Sequence, residues 1–527
     1  MSYPAPTSLG ISFQPTEIIG QAIRGESQQR RYASLSFSYI VCQFVIKHGH
    51  GLSNSPLIDI LVDDLLIHIF YLYRPAILGE GEDDYVRIRG GQGWDREQWW
   101  YKLAHVCQRW RSIILGSASY LNLCLVCTYG TPVAVMLVHS PPLPLAIDYS
   151  EEDRDITAED EEGIMLALEH HDRIRRVRFW TSVLKWQKLI TAFDKEFPAL
   201  EYLIMAHWKM DSTGSVLPEA LQAPHLRHLL MTGFALPIQS RLLTAAVGLV
   251  TLTLTVHSPA YFQPHSLLER LSSMPQLEIL MIDFLFPDPS HGLERHPLHT
   301  PIITHLTLPS LRWFTFRGAS AYLEGIAHRI TTPRLEKFSM EFFEQLTFSL
   351  PCLLQFMNTT ENLTRRLISA IFKFSKVEVA VEVYPRGAEM DSLSVYVHCQ
   401  HLDLQVSSAA QIFNPLSQTF TTVEHLALEH EVHDLSSEEH NEADRTEWHK
   451  LLCSFSKVKT LRIGDGLIKE VSRSLRLDDG ELPPELLPEL QELRYSGRDD
   501  TGDAFKSFVD ARQNTGHPVT VVLGQDL

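Results

Sequence analysis

Cysteine is scarce in this sequence: seven occur among 527 residues, an odd number, and most stand inside apolar segments. That excludes a disulfide-stapled framework and fits a reducing intracellular compartment, cytoplasm or nucleus. Long apolar runs are missing too. Residues 35–46 (LSFSYIVCQFVI) come nearest, fall short of the roughly 18 residues a membrane helix needs, and are interrupted by Ser and Gln. No membrane span is expected, and the N-terminus lacks the basic start and apolar core of a signal peptide. Basic residues are in deficit, 46 Lys and Arg against 64 Asp and Glu, for a formal net charge of -18. Phosphate backbones are held chiefly by Lys and Arg, so nucleic acid is not an expected partner. The best basic cluster, Arg173–Arg178, stands behind an acidic run that offsets it. Gly and Pro, at 27 and 29, are ordinary, and 44% hydrophobic residues are enough for a large core, which removes collagenous and disordered readings.

The usual marks of catalysis are equally sparse. No Gly-x-x-x-x-Gly-Lys-Ser/Thr and no Gly-x-Ser-x-Gly occurs, and Gly90-Gly91-Gln92-Gly93 lacks the flanking strand and helix of a phosphate cradle. Cys124 and Cys127 form a single Cys-x-x-Cys with no second pair, so burial in a strand accounts for them better than zinc. His291, His296 and His299, like His398, Cys399 and His401, are close in sequence but carry no ligand spacing. The sequons at Asn358 and Asn362 are expected to be unmodified. Carboxylates crowd residues 151–162 and 429–447, a pattern of solvated surface rather than of a paired acid and base in a cleft. No cofactor, metal or catalytic residue is expected, and the chain reads as a non-enzyme.

What is present is periodicity. At about 150 residues per domain the length allows about three units, although a repeat array can run long as one body. After Ser55-Pro56, the spacing of Leu61, Leu65, Leu66, Ile69, Phe70 and Leu72 predicts an amphipathic helix over 63–73, opened by Asp63 and Asp64 and ended before Pro75. Residues 79–96 read as a polar loop. Two helices, or one bent helix, follow over 97–115, with Trp99, Leu103, Val106 and Trp110 on one face. Leu121, Leu123, Leu125 and Cys127 alternate as a strand, and a helix, a Pro-rich turn and another strand come next.

Beyond residue 165 the sequence repeats itself. Pro198-Ala-Leu200-x-x-Leu203, Pro224-His-Leu226-x-x-Leu229, Leu249-x-x-Leu252, Pro275-Gln-Leu277-x-x-Leu280, Ile303-x-x-Leu306 and Pro333-Arg-Leu335-x-x-Phe338 are copies of one unit. Later copies begin at Val423, Val458 and Pro488, and 340–420 has no clean one. The leucines at 200, 226, 249, 277 and the isoleucine at 303 fall at leucine-rich-repeat intervals of about 20 to 29 residues. Each unit would supply a short strand and a return segment. Stacked units share a core and leave a curved parallel sheet. The fold class expected is α/β: a short all-helical domain, then an irregular leucine-rich-repeat-like solenoid. His207, Trp208, Lys209, Asp283 and Phe284, near strand ends, are the expected partner-contact rim.

Residues 60–73 and 99–133 carry a resemblance. Leu61, Asp64, Leu65, Leu66, Ile69 and Phe70 match the opening of an F-box, with Val62 where the family has proline, and Val106, Cys107, Arg109, Trp110 and Arg111 match its Val-Cys-x-x-Trp core. The chain resembles the large fungal F-box family, in the mushroom-type form with a long insert between the first two helices. The resemblance implies residues 1–56 as an extension, 57–120 as the F-box-like domain and 121–527 as the repeat domain. It also implies a substrate-recognition adaptor: the F-box docks on a Skp-type linker protein, which joins it to a cullin-RING ubiquitin ligase, and the repeats hold a protein target. Leu61, Leu65, Leu66, Ile69 and Phe70 would divide between F-box core and linker contact, while Leu103, Val106 and Trp110 would anchor the later helices. The alternative is a repeat scaffold with no ligase association.

Overall fold

The computed structural model describes residues 61–74, 98–150, 154–180, 186–207, 215–257, 262–285, 305–343, 345, 347–364, 367–387, 390–430, 445–476, 486–495 and 503–523. The expected N-terminal extension, the 79–96 loop, Trp208, Lys209, and His291, His296 and His299 lie outside them.

The Pro-x-Leu repeats acquire a physical meaning here. In each, four residues close a turn before a strand: the amide of Leu200 donates to the Phe197 carbonyl (3.3 Å), Leu226 to Ala223 (3.1 Å), Leu277 to Met274 (3.2 Å), Leu335 to Thr332 (3.2 Å) and Leu490 to Leu487 (3.0 Å). Proline fills the second position of each turn, where its fixed φ is already correct. The closing leucine points into the core. The next residue starts the ladder: Arg227 donates to the Glu201 carbonyl (2.9 Å), Glu278 to Val250 (2.8 Å) and Glu336 to Arg312 (2.8 Å).

The strands are β1 (Leu125–Cys127), β2 (Leu145–Tyr149), β3 (Ile174–Trp180), β4 (Tyr202–Ala206), β5 (Ser215–Val216), β6 (His228–Thr232), β7 (Phe234–Ala235), β8 (Thr251–His257), β9 (Ile279–Leu285), β10 (Leu306–Thr307), β11 (Trp313–Arg317), β12 (Ile330–Thr331), β13 (Lys337–Phe343), β14 (Leu367–Phe374), β15 (Glu378–Pro385), β16 (Leu393–His398), β17 (His425–His430), β18 (Thr460–Ile463), β19 (Glu492–Tyr495) and β20 (Thr520–Leu523). Sixteen of them form one open, mostly parallel sheet, in the order β1-β2-β3-β4-β6-β8-β9-β11-β13-β16-β15-β14-β17-β18-β19-β20. The protein is therefore mixed α/β. Helices return the chain between parallel strands, as parallel pairing requires. Along each strand the residues alternate. Phe314 and Phe338 stack at 5.3 Å on the face covered by helices, where Phe356 meets Phe338, Phe413 meets Phe372 and Trp448 meets Phe374. Ser339, Glu341 and Phe343 occupy the opposite face, half-exposed.

Several expectations change. Leu121 ends a short helix rather than starting a strand, because the chain turns through left-handed Asn122; only 125–127 pair as β1. The copy assigned to Ile303 and Leu306 does not enter the main sheet: β10 pairs with β12 in a separate two-stranded sheet. The main-sheet strand is β11, opened by the Leu308-Pro309-Ser310-Leu311 turn, and phenylalanines at 314 and 316 stand where leucines were sought. The stretch 340–420, which carries no clean copy of the unit, is nonetheless built of strands. It holds β14, β15 and β16, in which β15 runs antiparallel to both neighbours. Ser375 closes the β14–β15 hairpin, accepting from the Glu378 amide (3.1 Å) and donating to its carbonyl (3.0 Å). In the acidic run 151–162, Asp160 is buried rather than solvated, capping the helix Ala158–Glu169 through Thr157 and accepting from the Gly130 amide (2.8 Å).

Backbone contacts divide the chain into two units: one of residues 1–127 and 134–146, the other of 128–133 and 147–527. The first thus extends past the expected boundary at 120.

Phe338 is fully buried between Phe314 and Phe356, so Phe338→Ala should cost about 3–5 kcal/mol in urea unfolding, whereas Ser339→Ala, on the opposite face, should cost under about 1 kcal/mol.

Candidate functional site

In the first unit, α1 (Asp63–Tyr73) packs with α3 (Gln108–Gly116) and α4 (Ala118–Leu121), and α2 (Trp99–Ala104) packs with α3, its Trp99 ring 6.2 Å from Tyr73. Leu66 and Phe70 are the buried positions of α1, and Phe70 meets Trp110 edge to face at 4.9 Å. Trp99 and Trp100 are buried, and the Trp100 indole N–H donates to the Cys124 carbonyl (3.2 Å). The start of α1 has no side-chain cap, because its N-cap residue Val62 has no polar side-chain group. Arg109 reaches it instead: its guanidinium donates to Asp63 Oδ1 (2.7 Å) and to the Leu61 carbonyl. Cys107 caps α3, its Sγ accepting from the Trp110 amide (3.4 Å), and Arg111 donates to the Ala104 carbonyl (3.1 Å). The basic residues around the Trp therefore tie helix ends together.

The structure separates the two roles expected of these side chains. Leu66 and Phe70 are core, and Leu61, Ile69, Leu103 and Trp110 are half-buried. Val62, Leu65, Leu72 and Val106 are exposed at 66%, 38%, 51% and 58%. Val106 therefore does not anchor the helices. Val62, Leu65, Ile69 and Leu72 fall three and four residues apart, which lines them along one stripe of α1. Tyr71 and Tyr120, both exposed, touch at 5.3 Å.

In the second unit, the sheet face opposite the helices mixes polar residues with apolar ones such as Ile204, Leu230 and Met281. Across β3, β4 and β6, Arg176 lies over the Tyr202 ring (4.7 Å), and that ring stacks on His228 at 4.2 Å. His228 Nδ1 is 3.1 Å from Thr251 Oγ1. Burial, with Arg227 and Arg176 adding repulsion, holds the His228 imidazole down at about 4.

Further along, one register position reads Thr255, Asp283, Arg317, Glu341, Tyr396 across β8, β9, β11, β13 and β16. Arg317 lies between Asp283 (3.7 Å) and Glu341 (2.9 Å) and over the Phe343 ring (4.5 Å). His398 stacks on Phe343 at 5.0 Å and contacts Glu341 (2.5 Å) and Glu378 (3.3 Å). The Glu341 hydrogen bond, aided by the charges of Glu341 and Glu378, raises the His398 pKa above its ordinary 6.5.

Of the expected rim, Asp283 joins this network. Phe284, one residue on, turns to the other face and is buried against Tyr322 (4.6 Å), so it belongs to the core. His207 is half-exposed, its amide donating to the Thr232 carbonyl (2.9 Å). Glu341, Phe343, Tyr396 and His398 went unselected by sequence reading, although Ser394, Tyr396 and His398 alternate with Leu393, Val395 and Val397 in a clear strand pattern. Cys127 is buried, and among the described residues no group of three or more His, Cys, Asp and Glu could hold a metal ion. No described helix is long and apolar enough to cross a membrane. No protein family and no curated protein matches this chain.

The two histidines should titrate in opposite senses. His398, raised by its carboxylate partners, stabilises the folded chain below pH 6.5 and loses that contribution as pH rises through its folded-state value. His228 stays neutral when folded, so the unfolded chain binds the extra proton and stability falls as pH drops from 6.5 towards about 4. Imidazole NMR titration should show His398 above the ordinary value and His228 far below it, with Glu341→Gln returning His398 towards 6.5 and leaving His228 unmoved.

Proposed function

We propose that this chain is a non-catalytic substrate-recognition adaptor of an SCF-type cullin-RING ubiquitin ligase. Its first unit acts as an F-box that docks on a Skp-type linker. Its second unit, an irregular leucine-rich-repeat-like solenoid, binds the protein target. The observation that carries this reading is the division of α1. One side, with Leu66 and Phe70, closes the core of the helical unit, while Val62, Leu65, Ile69 and Leu72, with Val106 nearby in sequence to the family's conserved Trp position, leave apolar surface uncovered. A small unit with more apolar surface than its own core can cover gains by burying it against a partner. The match of Leu61, Asp64, Leu65, Leu66, Ile69, Phe70, Val106, Cys107 and Trp110 to the F-box pattern supports the same partner, and Arg109 joins α3 to the start of α1 through Asp63 and the Leu61 carbonyl. For the second unit, support comes from leucines at 200, 226, 249 and 277, each ending a turn and opening a parallel strand.

The decisive variants are the exposed ones. Leu66→Asp and Phe70→Asp place a charge in the core and would unfold the helical unit whatever it binds. Leu65→Asp, Leu72→Asp and Val106→Asp should leave circular dichroism unchanged. In calorimetric titration of a co-purified Skp-type linker, the wild-type chain should form a one-to-one complex and Leu65→Asp should weaken it at least about tenfold, the scale of one lost apolar contact at an interface centre. A folded wild-type chain that forms no complex would leave the repeat scaffold without ligase association as the function.

A further inference from the structure

The antiparallel insert changes the chemistry of the sheet face as well as its topology. On that face, β15 carries Glu378 and Glu382, β13 carries Glu341, and Asp391 stands just before β16. Each has a basic partner: His398 for Glu378, Lys373 for Glu382 (2.8 Å), Arg317 for Glu341 and Lys337 for Asp391 (3.0 Å). Asp283 joins through Arg317, the cation Glu341 already uses. Five carboxylates therefore face three permanent cations and His398 on these strands, and all of the five except the buried Asp283 are partly exposed.

Two phenols register that field. Burial pushes Tyr396 up to about 12, with Glu382, Asp391 and Glu378 adding to it, and Tyr384 is raised further by burial and by its hydrogen bond to Glu382 (2.6 Å). Aromatic surface is interleaved with the charge. Trp313, Phe343, Tyr384 and Tyr396 are all half-exposed on this face, and Phe343 already accepts one guanidinium. An independent feature is Ser392. It is only 7% exposed, its hydroxyl has no hydrogen-bond partner among the described residues, and it lies one position before the Phe338–Leu393 and Val383–Leu393 pairs. The Ser392 oxygen is enclosed at the start of β16.

We propose that this face, between β9 and β14, binds a basic, extended protein segment. Arginine or lysine side chains would lie over the exposed rings and against Glu341, Glu378 and Glu382. Ring faces attract guanidinium and ammonium groups, and carboxylates held beside them on a partly desolvated sheet strengthen that attraction. A net-negative patch also repels acidic competitors, giving selection by charge before any close contact forms. The inference rests on the adaptor reading, in which the second unit is the target-binding part, and it names the class of target segment.

The test uses the full chain and a fluorescently labelled decapeptide of alternating Arg and Ser, with a Glu and Ser peptide as control, followed by anisotropy at about 0.15 M salt, where long-range attraction is screened. The Arg peptide should bind and the Glu peptide should not. The pair Glu341→Gln and Glu378→Gln, and separately the uncharged change Trp313→Ala, should each weaken binding at least tenfold in folded chains. The pair Glu159→Gln and Glu162→Gln, on an exposed helix elsewhere, should leave it unchanged. Equal weakening by both glutamine pairs would overturn the proposal by showing diffuse attraction to the net charge of -18, and so would failure of the Arg peptide to bind. Linker titration of the same preparations separates the two readings. A chain that binds the linker and ignores the Arg peptide overturns only this inference, whereas one that binds the Arg peptide through Trp313 and not the linker removes only the ligase.

Discussion

A parallel strand of four to eight residues has no stability by itself, because its backbone groups must be met from both sides and its apolar face must be covered. In this protein the turn that precedes a strand meets that constraint. It ends in a leucine or valine driven into the core, and the next amide bonds to the equivalent residue of the preceding unit, so Arg227 registers on Glu201 and Glu336 on Arg312. Register is fixed at the start of the strand, and every later side chain is committed to one face. Phe338 goes to the helices and Glu341 to the polar face as consequences of where Leu335 closes its turn. A one-residue slip would exchange the two faces.

The same constraint makes the irregular region informative. Between β13 and β17 the array admits an antiparallel insert, and the polar face there carries much of the charge and ring surface that distinguishes it from its neighbours. Across β3, β4 and β6 that face is a stack of Arg176, Tyr202 and His228 beside buried threonines. At the insert it becomes carboxylates partly offset by Arg317, Lys337 and Lys373. A repeat fold keeps its core positions alike because each unit must fit the next, and its other face is free to vary. The helical unit obeys a comparable division. One side of α1 is spent on Phe70 and Trp110, and the stripe through Leu65 is left for something else.

Much of this was legible in the order of residues. Helix α1, the paired helices around Trp110 and the strands following Leu200, Leu226, Leu249, Leu277 and Leu335 all announce themselves through periodicity, since a side chain's face within a helix or strand depends only on its spacing. The β11 strand was hidden because phenylalanine fills its core positions, and the copy at Leu306 misled because Leu-x-x-Leu also fits a short strand outside the main sheet. Leucine spacing reports that a segment wants one buried face. It does not report which sheet supplies the cover.

The sequence by itself determined the α/β class, the acidic balance, the repeat and the helical pattern of the first unit, because each is a property of local spacing or of composition. Tertiary structure alone decided that β15 reverses direction, that Asp283 faces Arg317 while Phe284 turns inward, that His398 meets Glu341 from 57 residues away, and that Val106 is surface rather than anchor. Each of these depends on contacts between segments distant in the chain. Such contacts are set by strand register and by competition for a shared core, which no window of neighbouring residues contains.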